Sequence, residues 1–382
     1  MSRDRLAKTR RLVVKVGSQL IRGQGLEVGR LKSLAKQLGQ LKRGGRDCLL
    51  VSSGAVALGY KRLGLLERPT SLRLKQASAA AGQVALMMAW EKALEAYGLK
   101  AAQILLTAED LADRGRFLNA KNTFMALLEL GVIPVVNEND TVAVEELKVG
   151  DNDTLGSLVA SLCEADLFVN LTDQDGLFEA DPKKEPQAAL IDEVPLVTPA
   201  ILALAGGSSG PLGTGGMFTK VRAAGRLSER GVPSLIANGL TRDILIRLLA
   251  GEKLGTYFPP SEKRRGAYKH WLAFAARPRG RLIVDAGAAL AVRDKGKSLL
   301  PGGVAGVEGL FAAGDAVSIA QLDQEPFGVG LVNYSSPEVG RIMGLSSHQI
   351  EERLGYSHSE EIIHRDNLVV FPNPWIPIAN QE

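Results

Sequence analysis

Between residues 12 and 258, short apolar runs alternate with longer stretches whose apolar residues fall at helical spacing. The runs at 12–16, 47–52, 101–106, 132–136, 166–171 and 234–236 read as strands, with a closing strand near 256–258. Helices are expected at 28–43, 76–97, 116–130, 154–163 and 242–250, and from a glycine-rich loop to residue 231. An alternation this regular predicts an α/β fold with an open, mostly parallel sheet between layers of helices. Ligands of such sheets gather beyond the carboxyl ends of the strands.

At 382 residues the chain exceeds the usual single-domain size, so a second domain is expected. The first domain is assigned to 1–258. Pro259-Pro260-Ser261 and the basic segment after it form a linker over 259–279. Beyond it, apolar runs at 281–285, 288–292, 317–322 and 328–332, separated by glycines, predict a small β-rich domain over 280–358, followed by a tail, 359–382, that reads as irregular after His364.

Composition narrows the function classes. Net charge is only +4, and its positive excess is local: residues 263–281 hold seven Lys or Arg and no acid, whereas 282–382 hold six against thirteen Asp or Glu. A broad nucleic-acid face would spread its charge. RNA binding through the basic segment stands as a secondary alternative, with Tyr268, Trp271 and Phe274 to stack bases. The two cysteines, Cys48 and Cys163, sit in apolar runs and cannot build a disulfide framework, which fits a reducing compartment. Neither a signal-peptide pattern nor a bilayer-length apolar run is visible, so a cytoplasmic protein without membrane attachment is expected. His270, His348, His358 and His364 show no ligand spacing, and no metal site is assigned.

The chemistry points to phosphate. In Gly213-Thr214-Gly215-Gly216-Met217-Phe218-Thr219-Lys220 three glycines clear the backbone so that peptide N–H groups can converge on an anion. Lys220 adds a point charge one turn into the following helix. The better-known patterns are absent: Gly296-Lys297-Ser298 resembles the end of a P-loop, but Ala291 stands where its first glycine must be. Lys15 lies inside an apolar strand, where lysine is seldom buried unpaired. Ser52-Ser53-Gly54-Ala55 makes a second strand-to-helix turn suited to an anion. Asn137-Glu138-Asn139-Asp140 and Gly150-Asp151-Asn152-Asp153 bring carboxylates and amides suited to an ammonium group or a metal ion. The turn from Thr172-Asp173 to Phe178 could hold a nucleotide.

In this order, with Val14 to Ser18, Arg116 to Ala120 and Lys148 to Asp153, the motifs resemble the amino acid kinase family, closest to its members that phosphorylate free glutamate. Residues from about 280 to 354 resemble a PUA domain, a small pseudobarrel. The resemblance covers nearly the whole chain and implies an ATP-dependent phosphotransferase with a carboxyl acceptor. Its expected product is L-glutamyl 5-phosphate, the first step toward proline. It implies Lys15 and Lys220 at the transferring phosphoryl group and Asp153 as organiser of the two lysines. Thr172, Asp173 and Thr214, Gly215, Gly216, Met217, Phe218, Thr219 and Lys220 would hold ATP. Ser53, Asp140 and Asn152 would hold glutamate, with Lys148 contributing to substrate binding or charge balance. Magnesium is expected to arrive with ATP. A homodimer or homotetramer and a hand-off of the product to glutamyl phosphate reductase are expected as well. Sister kinases acting on aspartate, N-acetylglutamate, carbamate or uridylate are the nearest alternative.

Overall fold

In the computed structural model the described residues are 3–21, 27–142, 152–182, 184–206, 216–261, 272, 278–357 and 359–371. The chain divides into two compact units, Met1–Arg265 and Gly266–Asn380. The first unit runs β1 (Arg11–Val16), α1 (Val28–Arg43), β2 (Asp47–Ser52), α2 (Ala55–Arg62), α3 (Leu72–Glu95), β3 (Ala101–Leu106), α4 (Arg114–Glu129), β4 (Ile133–Glu138), α5 (Asn152–Leu162), β5 (Leu167–Thr172), α6 (Met217–Arg230), β6 (Ser234–Asn238), α7 (Ile244–Leu249) and β7 (Thr256–Phe258).

The seven strands lie in the order β3-β4-β2-β1-β5-β6-β7. All pairings are parallel except the last, β6 with β7. β1 is flanked by β2 on one side and β5 on the other, so the strand order reverses direction at β1. A crevice outside the carboxyl ends forms at such a switch point. β1, β2 and β5 are buried almost throughout, which explains their continuous Val, Leu and Phe runs. Packing of α1, α3 and α7 against the sheet buries Leu31, Leu38, Leu86, Trp90 and Leu248 in one core. Trp90 is fully buried, and its indole N–H donates to Ser52 Oγ at 2.8 Å, so the large ring costs no unpaired donor.

α2 and α3 meet without side chains between them. A Cβ added at Gly59 would lie 1.6 Å from the Ser78 carbonyl oxygen, and one at Gly82 would lie 1.8 Å from that of Ala55. The crossing holds the start of α2, at the Ser53-Gly54 turn, directly against α3. Gly54 itself has φ 120°, a backbone conformation that favours glycine there.

In the second unit a five-stranded sheet has the order β12-β11-β10-β8-β9, with β8 Gly280–Val284, β9 Val304–Gly309, β10 Ala316–Ala320, β11 Gly328–Leu331 and β12 Leu368–Val370. Two sequence expectations are corrected here. The apolar run 288–292 is not a strand but the body of α8 (Ala286–Arg293), started by Asp285, whose carboxylate accepts from the Ala288 N–H at 2.7 Å. Four of its residues are alanine or leucine, good helix formers that a count of apolar residues cannot tell from a strand. Nor are residues 368–370 irregular: β12 pairs antiparallel with β11 and buries Leu368 and Val369.

Gly82→Ala is expected to cost about 3 kcal/mol or more, because two backbones must separate. Gly29→Ala, where an added Cβ meets nothing within 4 Å, is expected to be neutral or to stabilise by about 0.5–1 kcal/mol. Urea unfolding of both variants measures the contrast.

Candidate active site

Lys15 is the fifth residue of β1 and pairs across the ladder with Asn170 of β5, so both side chains leave the same face of the sheet. Asp153, in the first turn of α5, meets them there. The helix gets this close because of Gly156: an added Cβ would lie 2.9 Å from Phe168 Cε2 and 3.6 Å from Lys15 Cβ. From the other side α6 packs on α5 and brings Thr219 and Lys220. Lys15 Nζ lies 2.5 Å from Asp153 Oδ1, and Lys220 Nζ lies 3.0 Å from Oδ2. Asn170 Nδ2 donates to Oδ1 at 2.8 Å and Thr219 Oγ1 donates to Oδ2 at 2.6 Å.

All three charged groups are buried: relative exposure is 4% for Lys15, 5% for Lys220 and 0% for Asp153. Burial by itself would push the Asp153 carboxyl up, but the two ammonium groups and the hydrogen bonds from Lys15 and Thr219 hold it well below the usual carboxylate range. Asp153 is thus a fixed anion between two lysines that would otherwise repel. Two ammonium groups and one carboxylate give this cluster a formal charge of +1. This is a site built for an anion.

A second cluster lies across β1, at the ends of β2 and β4. Asn152, one residue before Asp153, donates through Nδ2 to Ser53 Oγ at 2.7 Å and to Asn137 Oδ1 at 3.0 Å. Its Oδ1 is buried and has no hydrogen-bond partner among the described residues. An orphaned acceptor of this kind costs about 1–3 kcal/mol, and a donor brought by a ligand would remove that cost. Asp140 is half-buried in the turn that follows β4.

Thr172 ends β5, and its hydroxyl donates to Asp173 Oδ1 at 3.1 Å. The loop beyond is pinned by neighbouring strands: Asn238 Nδ2 donates to Asp175 Oδ1 at 2.8 Å, and the Leu177 N–H donates to Thr256 Oγ1 at 2.8 Å. α6 begins at Gly216, which supplies no side-chain cap. The backbone N–H groups of its first turn, with Lys220 four residues in, fit a phosphate. Met217 and Phe218 are half-buried there, and the Arg222 guanidinium lies over the Phe218 ring, 5.6 Å from its centroid. Lys148, Thr214 and Gly215 lie outside the described residues, as does the basic segment apart from Leu272 and residues 278–281.

One residue of the site, Asn170, escapes the sequence reading altogether, while Asn137 enters it only as part of the Asn-Glu-Asn-Asp cluster and Thr219 only as a nucleotide residue. Asn137 closes the apolar run of β4, and Asn170 interrupts that of β5; each carried the same signal as Lys15, a polar group inside a buried strand. Thr219 was assigned to nucleotide, but its hydroxyl is engaged by Asp153, which leaves its backbone N–H for a phosphate. Both cysteines are buried and their thiols are pushed up to about 12, so neither offers a thiolate for catalysis.

Residues 10–238 match the profile of the Amino acid kinase family, and residues 280–354 that of the PUA domain. The chain belongs to the amino acid kinase family. Among the relatives of this amino acid kinase, the Glutamate 5-kinase of Syntrophotalea carbinolica is 49% identical over 371 residues, covering 97% of this chain and 100% of the relative. Those of Thermus thermophilus and Anaeromyxobacter dehalogenans are 50% and 51% identical, covering 94% and 97% of this chain and 97% and 98% of their own. An X-ray structure of isopentenyl phosphate kinase has a TM-score of 0.47 at 24% identity, covering 65% of this chain and 99% of that one. No helix among the described residues of the kinase is long and apolar enough to cross a membrane.

Asp153→Asn keeps the shape of the side chain and removes the charge that separates the lysines, so turnover is expected to fall about 100-fold or more in steady-state assays. The ion pairs also set a pH signature. A carboxyl depressed in the folded state contributes stability that is present above its unfolded value, about 3.9, and is lost as pH falls toward the folded value. The stability gap between the native chain and Asp153→Asn is therefore expected to be widest near pH 7 and to narrow below about pH 4. Urea titrations at the two pH values measure it.

Proposed function

We propose that the chain transfers the γ-phosphoryl group of ATP to the side-chain carboxylate of L-glutamate, giving L-glutamyl 5-phosphate, the first step of proline biosynthesis. The observation that carries the proposal is the pair of buried lysines held on one carboxylate at the switch point of the sheet, beside an uncapped helix N-terminus. Relatives of the same length and half the same residues bear the name Glutamate 5-kinase.

A carboxylate acceptor is already ionised at neutral pH, so no general base is required. Catalysis reduces to holding two anions in line and neutralising the charge that spreads over the transferring group. Lys15 and Lys220 do this from opposite sides of Asp153. Because they are fixed by Asp153 before the reaction, they need not reorganise during it. Asp153 touches neither reactant; it positions the two ammonium groups. Gly216 and the first turn of α6, with Thr214 and Gly215 before it, hold the ATP phosphates, and Thr172 and Asp173 hold the nucleotide at the end of β5. Ser53, Asp140 and Asn152 hold glutamate, the last through its orphaned carbonyl to the α-ammonium, and Lys148 balances charge. Magnesium travels with ATP, where it neutralises the β- and γ-phosphates.

The remaining features follow from the same reading: a cytoplasmic homodimer or homotetramer whose labile acyl phosphate passes to glutamyl phosphate reductase. A sister kinase with another acceptor is the second reading of the same fold. RNA binding by the second unit would be an additional activity rather than a replacement.

The test is ATP-dependent acyl phosphate formation, trapped with hydroxylamine, in the presence of magnesium. Hydroxamate is expected with L-glutamate and not with aspartate or N-acetyl-L-glutamate, and it is expected to vanish in Lys220→Ala. Equal product with N-acetyl-L-glutamate would move the assignment to a sister kinase.

A further inference from the structure

Asn152 is the inner end of a longer chain of amides. Beyond the 3.0 Å bond from Asn152 Nδ2 to Asn137 Oδ1, Asn137 Nδ2 donates to Gln83 Oε1 at 2.9 Å, and Gln83 Nε2 donates to Gln103 Oε1 at 3.0 Å. Four side-chain amides therefore run in series through three hydrogen bonds, in which each of the first three donates its N–H outward to the carbonyl of the next. They come from four different elements: α5, β4, α3 and the edge strand β3. Gln83 is held in place by the backbone crossing at its neighbour Gly82. Gln103 stands at the exposed outer end, opposite Val135 in the ladder with β4. The inner end of the series is the buried Asn152 Oδ1, which has no hydrogen-bond partner among the described residues.

Two physical consequences follow. Hydrogen bonds in series polarise one another and strengthen by roughly 10–30% per bond, and the same polarisation raises the negative charge on the innermost oxygen. Rotation of Asn152 alone would set its carbonyl against that of Asn137, so the amides hold one another in orientation. We infer that Gln83, braced by Gln103, is a positioning residue for the acceptor's free α-ammonium group: by fixing Asn137 it fixes which end of Asn152 meets the substrate. Substrate choice, a free amino acid over an N-acylated one, is then set partly by a glutamine that does not touch the substrate. The inference rests on the glutamate kinase reading above.

Its test uses the full-length protein with magnesium and ATP. If the native chain makes no hydroxamate from L-glutamate, the kinase reading fails, independently of the amide chain. Given that turnover, Gln83→Met, similar in length but without donor or acceptor, is expected to raise KM for L-glutamate about tenfold. Both kcat and KM for ATP are expected to stay within about twofold, and preference over N-acetyl-L-glutamate to fall with the rise in KM. Gln83→Glu still accepts from Asn137 Nδ2, so it is expected to return KM to within about threefold of the native value. The inference is overturned by an unchanged KM in Gln83→Met. It is overturned equally by a parallel loss of kcat and ATP affinity, or by a Glu variant as impaired as the Met variant.

Discussion

Two ammonium groups cannot share a dry pocket unless an anion stands between them, and Asp153 occupies that position with all of its acceptor capacity used. Lys15, Asn170, Thr219 and Lys220 reach it from β1, β5 and α6, and each must arrive at hydrogen-bonding distance. A buried carboxylate with one partner missing would be costly, which makes these three elements and α5 interdependent. Gly156 is part of the same arrangement, since a side chain there would push α5 away from Phe168 and out of reach of Lys15. The packing of the first unit and the charge of its site are thus one problem with one solution.

The strand order gives that site two sides. Ser53 and Asn137 come from β2 and β4, on one side of β1, while Thr172 ends β5, on the other. Under the proposed function the acceptor's ammonium group belongs with the amides on the first side and the nucleotide with the loops on the second. Lys15 in β1 stands at the boundary, where the two anions must meet. The arrangement needs no titrating residue near neutral pH, because the reactants bring their own charge and the protein supplies fixed counter-charge.

Much of this was readable in the chain itself. Lys15 betrayed itself as a charge inside an apolar strand. The alternation of strands and helices led to the parallel sheet because period and length both distinguished the elements. Where those signals were weak the reading failed: α8 is short and rich in alanine, and β12 is three residues whose partner lies about forty positions away. Gln83 and Gln103 left no trace at all. A glutamine on a helix and another on an edge strand look like ordinary surface polarity, and only the register of β3 on β4 and the approach of α3 place them end to end.

The crossing of α2 and α3 constrains how this protein can change over time. At Gly59 and Gly82 the contact surfaces are carbonyl groups and backbone nitrogens, so no neighbouring side chain can shrink to make room for a larger residue. Compensation by a second substitution, the usual route by which a core drifts, is closed at both positions. The helices would have to part first, and one carries Gln83 while the other starts at the Ser53 turn. Two residues with no functional group of their own thereby tie the history of the scaffold to that of the site.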